Sequence, residues 1–243
     1  MEDTSFAYSQ QMSCARPRKN RRGNARHGPP LLIDLLDRAK ADIESNGWIT
    51  TCQGLLKDAL RNTNISCPNV LCLGLGSPST SREARAQLAF LISSCAILEI
   101  GLTNVSIYDP VFTDADKEFL QSFGMQCLSD TASLLFLSSY AVEHPTVLYM
   151  PHCDLKLYEN IIGANWSRER LARIIFVANR FQDYTDNNPQ SKLEIESPYL
   201  MRLVPHLECH PLPTLESFSS AFNNISIQHV RLPVSPSLVP SSH

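Results

Sequence analysis

Between Asn69 and Ala178 five short β-rich runs alternate with helical stretches, and this alternation narrows the fold more than any other feature of the chain. A parallel strand connection needs a dozen or more residues, usually a helix, so the pattern predicts a mostly parallel sheet with covering helices. The first run, 69–75, is apolar and ends in the glycines of Leu71-Cys-Leu-Gly-Leu-Gly-Ser77. Thr80-x-x-Glu83 then has the form of a capping box, and Ala84, Leu88, Leu91, Ile92, Cys95 and Leu98 make one apolar helical stripe that should end near Gly101. Further strands are expected at 104–108, 125–128, 146–150 and 173–178. Helices are expected from Thr113-Asp-Ala-Asp116 to Gly124, after the third strand through about Tyr140, and over 155–162. Upstream, 31–45 and 48–60 have near-helical apolar spacing. The polar text from Asn179 to Ser197 reads as a loop, before a short helix near Tyr199 and strands near Leu207 and over 225–231.

The expected fold is therefore α/β, a Rossmann-like three-layer sandwich with a mostly parallel central sheet. A single domain over 31–232 would lie between a disordered basic leader, 1–30, and a disordered Pro/Ser tail, 233–243. With 243 residues and 43% hydrophobic content, the chain can bury one substantial core. It has no run of roughly 18 apolar residues and no apolar signal core, which points to the cytoplasm or nucleus and away from membranes.

Net charge is −3, unevenly spread. Arg16, Arg18, Lys19, Arg21, Arg22 and Arg26 face only Glu2 and Asp3 in the leader, so the remainder is acidic. A basic arm could serve nuclear import or a weak nucleic-acid contact, or simply be a solvated tail. An acidic body makes nucleic acid a poor main ligand. The eight cysteines are scattered singly without a Cys-x-x-Cys pair, the pattern of reduced core thiols rather than of a zinc site. His206-Leu-Glu-Cys209-His210 concentrates potential ligands, but a strand would send alternate residues to opposite faces, and the expectation is an incidental polar strand end with no metal.

Four blocks stand in order along the chain: Leu73-Gly-Leu-Gly-Ser77 with Ala86-Gln-Leu-Ala89; Tyr108-Asp-Pro-Val-Phe112; Tyr149-Met-Pro-His-Cys153 with Leu157-Tyr158 and Asn165-Trp166; and Ile174-Ile-Phe-Val-Ala-Asn179. Together they resemble the sensitivity-to-red-light-reduced (SRR-like) domain family over roughly 68–232. The resemblance implies a regulatory role, linked in plants to light signalling and circadian timing and elsewhere to haem metabolism and to cytoskeletal or stress phenotypes. It brings no established reaction and no catalytic residues.

Ligands of open α/β sheets bind beyond the carboxyl ends of the strands. Gly74, Gly76, Ser77, Asp109, His152 and Asn179 all stand at such ends and are the candidate cofactor-binding residues. The glycine turn could cradle a nucleotide phosphate at a helix N-terminus, although it has Ser79 at the third glycine position and no P-loop lysine; equally, the glycines could serve only a tight turn. Asp109 could accept ribose hydroxyls or cap the turn at Pro110. His152 is the one catalytic candidate, as an acid or base, and otherwise a satisfied hydrogen-bonding residue. Trp166 is read as packing between helix and sheet, and Arg180 as a group facing a phosphate or carboxylate. The cofactors in view are a nucleotide or S-adenosylmethionine, with haem at Cys67-Pro68 or His152-Cys153 as the weaker option. The leading function is a regulatory domain with a nucleotide-like or cofactor-like pocket and protein partners not legible in the sequence. The alternative is an S-adenosylmethionine-dependent methyltransferase-like enzyme.

Overall fold

The computed structural model describes residues 30–129 and 141–231. The basic leader, the Pro/Ser tail and most of the helix expected before Tyr140 lie outside the described residues. Among the described residues, seven strands form one sheet: β1 Asn69–Leu73, β2 Val105–Tyr108, β3 Gln126–Cys127, β4 Thr146–Met150, β5 Ile174–Asn179, β6 Leu207–Pro211 and β7 Ile225–Val230. Their order is β3-β2-β1-β4-β5-β7-β6. The first five strands run parallel, and β7 is antiparallel to both β5 and β6. The fold is mixed α/β with a mostly parallel sheet, and its first five strands have the 3-2-1-4-5 order of doubly wound nucleotide-binding sheets.

The central strands bury both faces, which is why they read as continuous apolar runs rather than as alternating ones. Val147, Tyr149, Ile175 and Val177 point into one core. Leu148, Met150, Ile174, Phe176 and Ala178 point into the other. The first core is roofed by α1 Leu32–Glu44, α2 Trp48–Asn62 and α3 Arg82–Ile97. There the Trp48 ring lies 4.6 Å from that of Phe222 and 5.7 Å from that of Phe90, and its indole N–H donates to the Pro213 carbonyl. Helices Leu155–Ala164, Phe181–Asn187 and Pro198–Leu203 cover the second core. Among the described residues, no helix is long and apolar enough to cross a membrane.

Four local expectations need correction. The cap of α3 is Ser81, whose hydroxyl accepts the Ala84 N–H, not Thr80, whose own hydroxyl turns back to the Ser77 carbonyl. The same helix is buried around most of its circumference rather than along one stripe, because α1 packs across its outer side. Its C-terminus comes before Gly101: Glu99 adopts φ +58°, and the Ile100 and Glu99 amides donate to Cys95 and Ala96 in the pattern of a Schellman motif. Finally, the polar stretch after Asn179 is not a loop but two helices, Phe181–Asn187 and Gln190–Glu196. Few apolar anchors hold them, chiefly Phe181 and Leu193, while the Asn187 and Asn188 side chains donate to carbonyls four residues back.

Candidate functional site

The turn after β1 is shaped by two glycines in the left-handed region, Gly74 at φ +72° and Gly76 at φ +77°. A Cβ on Gly74 would stand 2.6 Å from Cys153 Sγ, so this position needs glycine for space as well as for conformation. The turn is held by two carboxylates. Asp109, at the end of β2, accepts the Gly76 amide at 2.7 Å through one oxygen and the Val111 amide at 2.9 Å through the other. Asp116 is fully buried. It accepts Ser77 Oγ, Thr113 Oγ1 and the Thr113 amide through Oδ2, and the Ser79 amide through Oδ1. Burial pushes the Asp116 pKa up, but the bonds from Ser77, Thr113 and Ser79 outweigh it and hold the carboxyl below its usual range. Asp116 is the N3 residue of a capping box with Thr113 as well, so one side chain joins the glycine turn to the helix Asp114–Ser122.

Beside this turn lies a cavity of about 520 Å³ over the carboxyl ends of β1 and β2 and the segment after β4. Leu73, Gly74, Tyr108, Asp109, Cys153 and Lys156 are among its lining residues. Its volume suits a small molecule, and it lies where strand order reverses between β1 and β4. A second cavity of about 480 Å³ opens at the opposite edge, around Asn69, Asn104 and Thr146. It has none of the strand-end groups singled out above, and the carboxyl-edge crevice is the better candidate.

Of the sequence candidates, Gly74 and Asp109 line the crevice, whereas Gly76 and Ser77 form the turn behind it. His152 and Asn179 come together but face elsewhere. His152 has φ +56°, its amide donates to Asn179 Oδ1 at 2.9 Å, and its ring Nε2 lies 3.2 Å from the Ala221 carbonyl. Asn179 Nδ2 donates to the Tyr184 hydroxyl. The Cys153 thiol points the other way, donating to the Leu73 carbonyl at 3.4 Å, and burial pushes its pKa up to about 12. His152 and Cys153 thus diverge instead of presenting a joint ligand pair. Arg180 lines a separate cavity with Cys209 and Arg231 and pairs with Asp183 at 3.5 Å. Trp166 does not pack between helix and sheet; it is 40% exposed, with its ring 5.1 Å from that of Tyr199.

The sequence reading missed Asp116, Tyr108 and Lys156. Asp116 was legible as a helix cap, but its bonds to Ser77 and Ser79 cross more than thirty residues. The other block residues have internal partners: Tyr149 donates to the Gln87 carbonyl, Gln87 to Ala221, Tyr158 to Met150, and Asn165 accepts the Val142 amide.

A family model, the SRR1 domain, matches residues 51–229, beginning inside α2 and so upstream of residue 68. The chain is similar to the SRR1-like protein of Mus musculus, 31% identical over 134 residues that cover 55% of this chain and 52% of the relative. It is also similar to the SRR1-like protein of Drosophila melanogaster, 28% identical over 71% of this chain and 58% of the relative. Protein SENSITIVITY TO RED LIGHT REDUCED 1 of Arabidopsis thaliana is 31% identical over 46% of this chain and 40% of the relative. The chain thus spans about half the length of the curated relatives it matches. No solved structure matches.

Proposed function

This chain belongs to the SRR1 domain family, and from that premise we propose that it is a regulatory protein whose carboxyl-edge crevice receives a small cofactor-like molecule without transforming it. The observation that carries this reading is Asp109. It occupies the strand end where a nucleotide-binding sheet offers a ribose acceptor, yet each of its oxygens already accepts a backbone amide of the neighbouring turns. The N-terminus of α3, the natural phosphate site, is likewise engaged by Ser81, and Glu83 adds a carboxylate to its first turn. A second anion there would meet like charge. These features support a crevice whose polar groups maintain shape more than they perform chemistry. The name of the Arabidopsis relative, with the resemblance described above, supports light- or clock-type signalling or the regulation of haem metabolism as the setting.

Thermal unfolding in the presence of S-adenosylmethionine, NAD, adenine nucleotides and hemin tests the crevice. A ligand at a hundred times its Kd adds about 2.7 kcal/mol, a rise of several degrees in Tm. One of these classes is expected to give such a rise without turnover. No rise with any of them would remove the pocket from the proposal, and a transferred methyl group in the product would overturn the non-catalytic reading.

The methyltransferase-like alternative draws on one observation, the 3-2-1-4-5 strand order that sets the cavity at the β1–β4 reversal with Asp109 on its wall. It requires Asp109 to contact the cofactor. Equal S-adenosylmethionine affinity in Asp109→Ala and the unaltered chain, both checked as folded, would dismiss it.

A further inference from the structure

At the other end of the sheet, three potential ligands that the linear sequence separates come onto one face. Glu208 and His210 are two residues apart on the edge strand β6, so they share a face, and Glu208 pairs directly with His229 on β7. One ligand atom from each, an imidazole nitrogen or a carboxylate oxygen, lies within 4.8 Å of the other two. His210 Nε2 is 2.9 Å from Glu208 Oε1, and His229 Nε2 is 3.9 Å from Glu208 Oε2.

A hydrogen bond between His210 and Glu208 accounts for two of these groups but not for the third. His229 is only 1% exposed, and its Nε2 has no hydrogen-bond partner. Its Nδ1 lies 3.3 Å from the Val230 carbonyl, which can only accept, so Nδ1 is the donor there and Nε2 is the ring nitrogen left beside the Glu208 carboxylate. A buried imidazole nitrogen with no hydrogen-bond partner, next to a partly exposed carboxylate, is an arrangement that a bound cation satisfies. A backbone carbonyl that fixes the tautomer of a ligating histidine is also the usual outer-shell arrangement of metal sites.

We propose that Glu208, His210 and His229 bind a divalent transition-metal ion, with zinc as the reference ion. Two imidazoles and one carboxylate suit zinc or cobalt better than magnesium or calcium, which prefer oxygen donors. Ligand atoms around a tetrahedral zinc stand about 3.3 Å apart; here the carboxylate turns Oε1 to His210 and Oε2 to His229, and one ligand atom from each of the three residues lies within 4.8 Å of the others, so small side-chain adjustments bring them to that spacing. Glu208 and His210 are 36% and 33% exposed at their side chains, so the remaining coordination position faces solvent and suits water or an outside donor. The Asn62 amide, donating to Glu208 Oε1 at 3.3 Å, orients the carboxylate from the end of α2. The site is independent of the carboxyl-edge crevice: His229 pairs with Ile175, near the amino end of β5.

The test is titration of the purified, chelator-treated full chain with Co²⁺ alone, followed by visible absorption. One Co²⁺ per chain is expected, with d–d bands of a low-coordinate site. His210→Ala and Glu208→Gln, both at partly exposed positions and expected to fold, should each weaken binding by at least about tenfold. Cys209→Ser should bind as the unaltered chain does. Zn²⁺ alone should raise the Tm of the unaltered chain and not that of His210→Ala. The proposal is overturned if no d–d bands appear, if His210→Ala binds as tightly as the unaltered chain, or if thiolate-to-cobalt charge transfer dominates and assigns the ion to cysteines instead.

Discussion

At the scale of single residues, the glycine turn is specified by space and charge together. Gly74→Ala must hold a Cβ at φ +72° and place it 2.6 Å from Cys153 Sγ, whereas the Cβ of Gly76→Ala would meet Ala84 Cβ at 3.4 Å. The first substitution is expected to cost about 2–4 kcal/mol and the second about 1–2 kcal/mol, most of the latter backbone strain. Because a single sulfur atom makes the closest contact, Cys153→Ala should relieve part of the Gly74→Ala penalty. Urea unfolding of both single variants and the pair should show a favourable coupling of about 1 kcal/mol or more; simple additivity would exclude the clash. Asp116 gives a pH prediction. Its folded pKa is depressed, so its contribution is complete above the unfolded value of about 3.9 and disappears as pH falls through the folded value. Asp116→Asn should therefore destabilise by about 2–3 kcal/mol at neutral pH, where the carboxylate accepts four hydrogen bonds. The gap should narrow in unfolding curves recorded near pH 3, and a gap independent of pH would show that the carboxylate is not the ionised hub.

At the scale of elements, legibility followed burial. Strands β4 and β5 could be read from the sequence because both faces lie in core, leaving uninterrupted apolar runs. The helices after Asn179 could not, because their stability comes from Phe181, Leu193 and local amide bonds rather than from a periodic apolar face. The positions of the crevice residues at strand ends were legible from the alternation. Their partners were not, since Asp109 and Asp116 reach across more than thirty residues and the Glu208–His229 pairing depends on strand register. The end of α3 shows the same limit, with exposed Glu99 holding the left-handed position that glycine usually fills. Glu99→Gly should thus be a stabilising change of about 1 kcal/mol, measured as a higher midpoint in chemical unfolding. A lower midpoint would mean that the Glu99 side chain contributes more than its backbone strain costs.

At the scale of the whole molecule, the span matched by the family model and the span needed for a closed core differ. The match begins at residue 51, within α2, yet Leu36, Ile43, Trp48 and Ile49 all lie before it and are buried in the first core. Trp48 joins α2 to Phe90 on α3 and to Phe222 just before β7, so it connects the two sequence ends of that layer. Each of the four side chains stabilises by about 1.5–3 kcal/mol when fully buried, and their sum is comparable with the roughly 5–15 kcal/mol that holds a domain folded. Removing them also strips the outer cover from α3, exposing apolar positions that the sheet alone cannot hide. A chain trimmed to residues 51–231 should therefore lose cooperative thermal unfolding and bind a hydrophobic dye, whereas one trimmed to 30–231 should unfold in a single sharp transition. If the shorter chain unfolded as sharply and at the same temperature, α1 and Trp48 would be an accessory layer, and the folding unit would coincide with the family match.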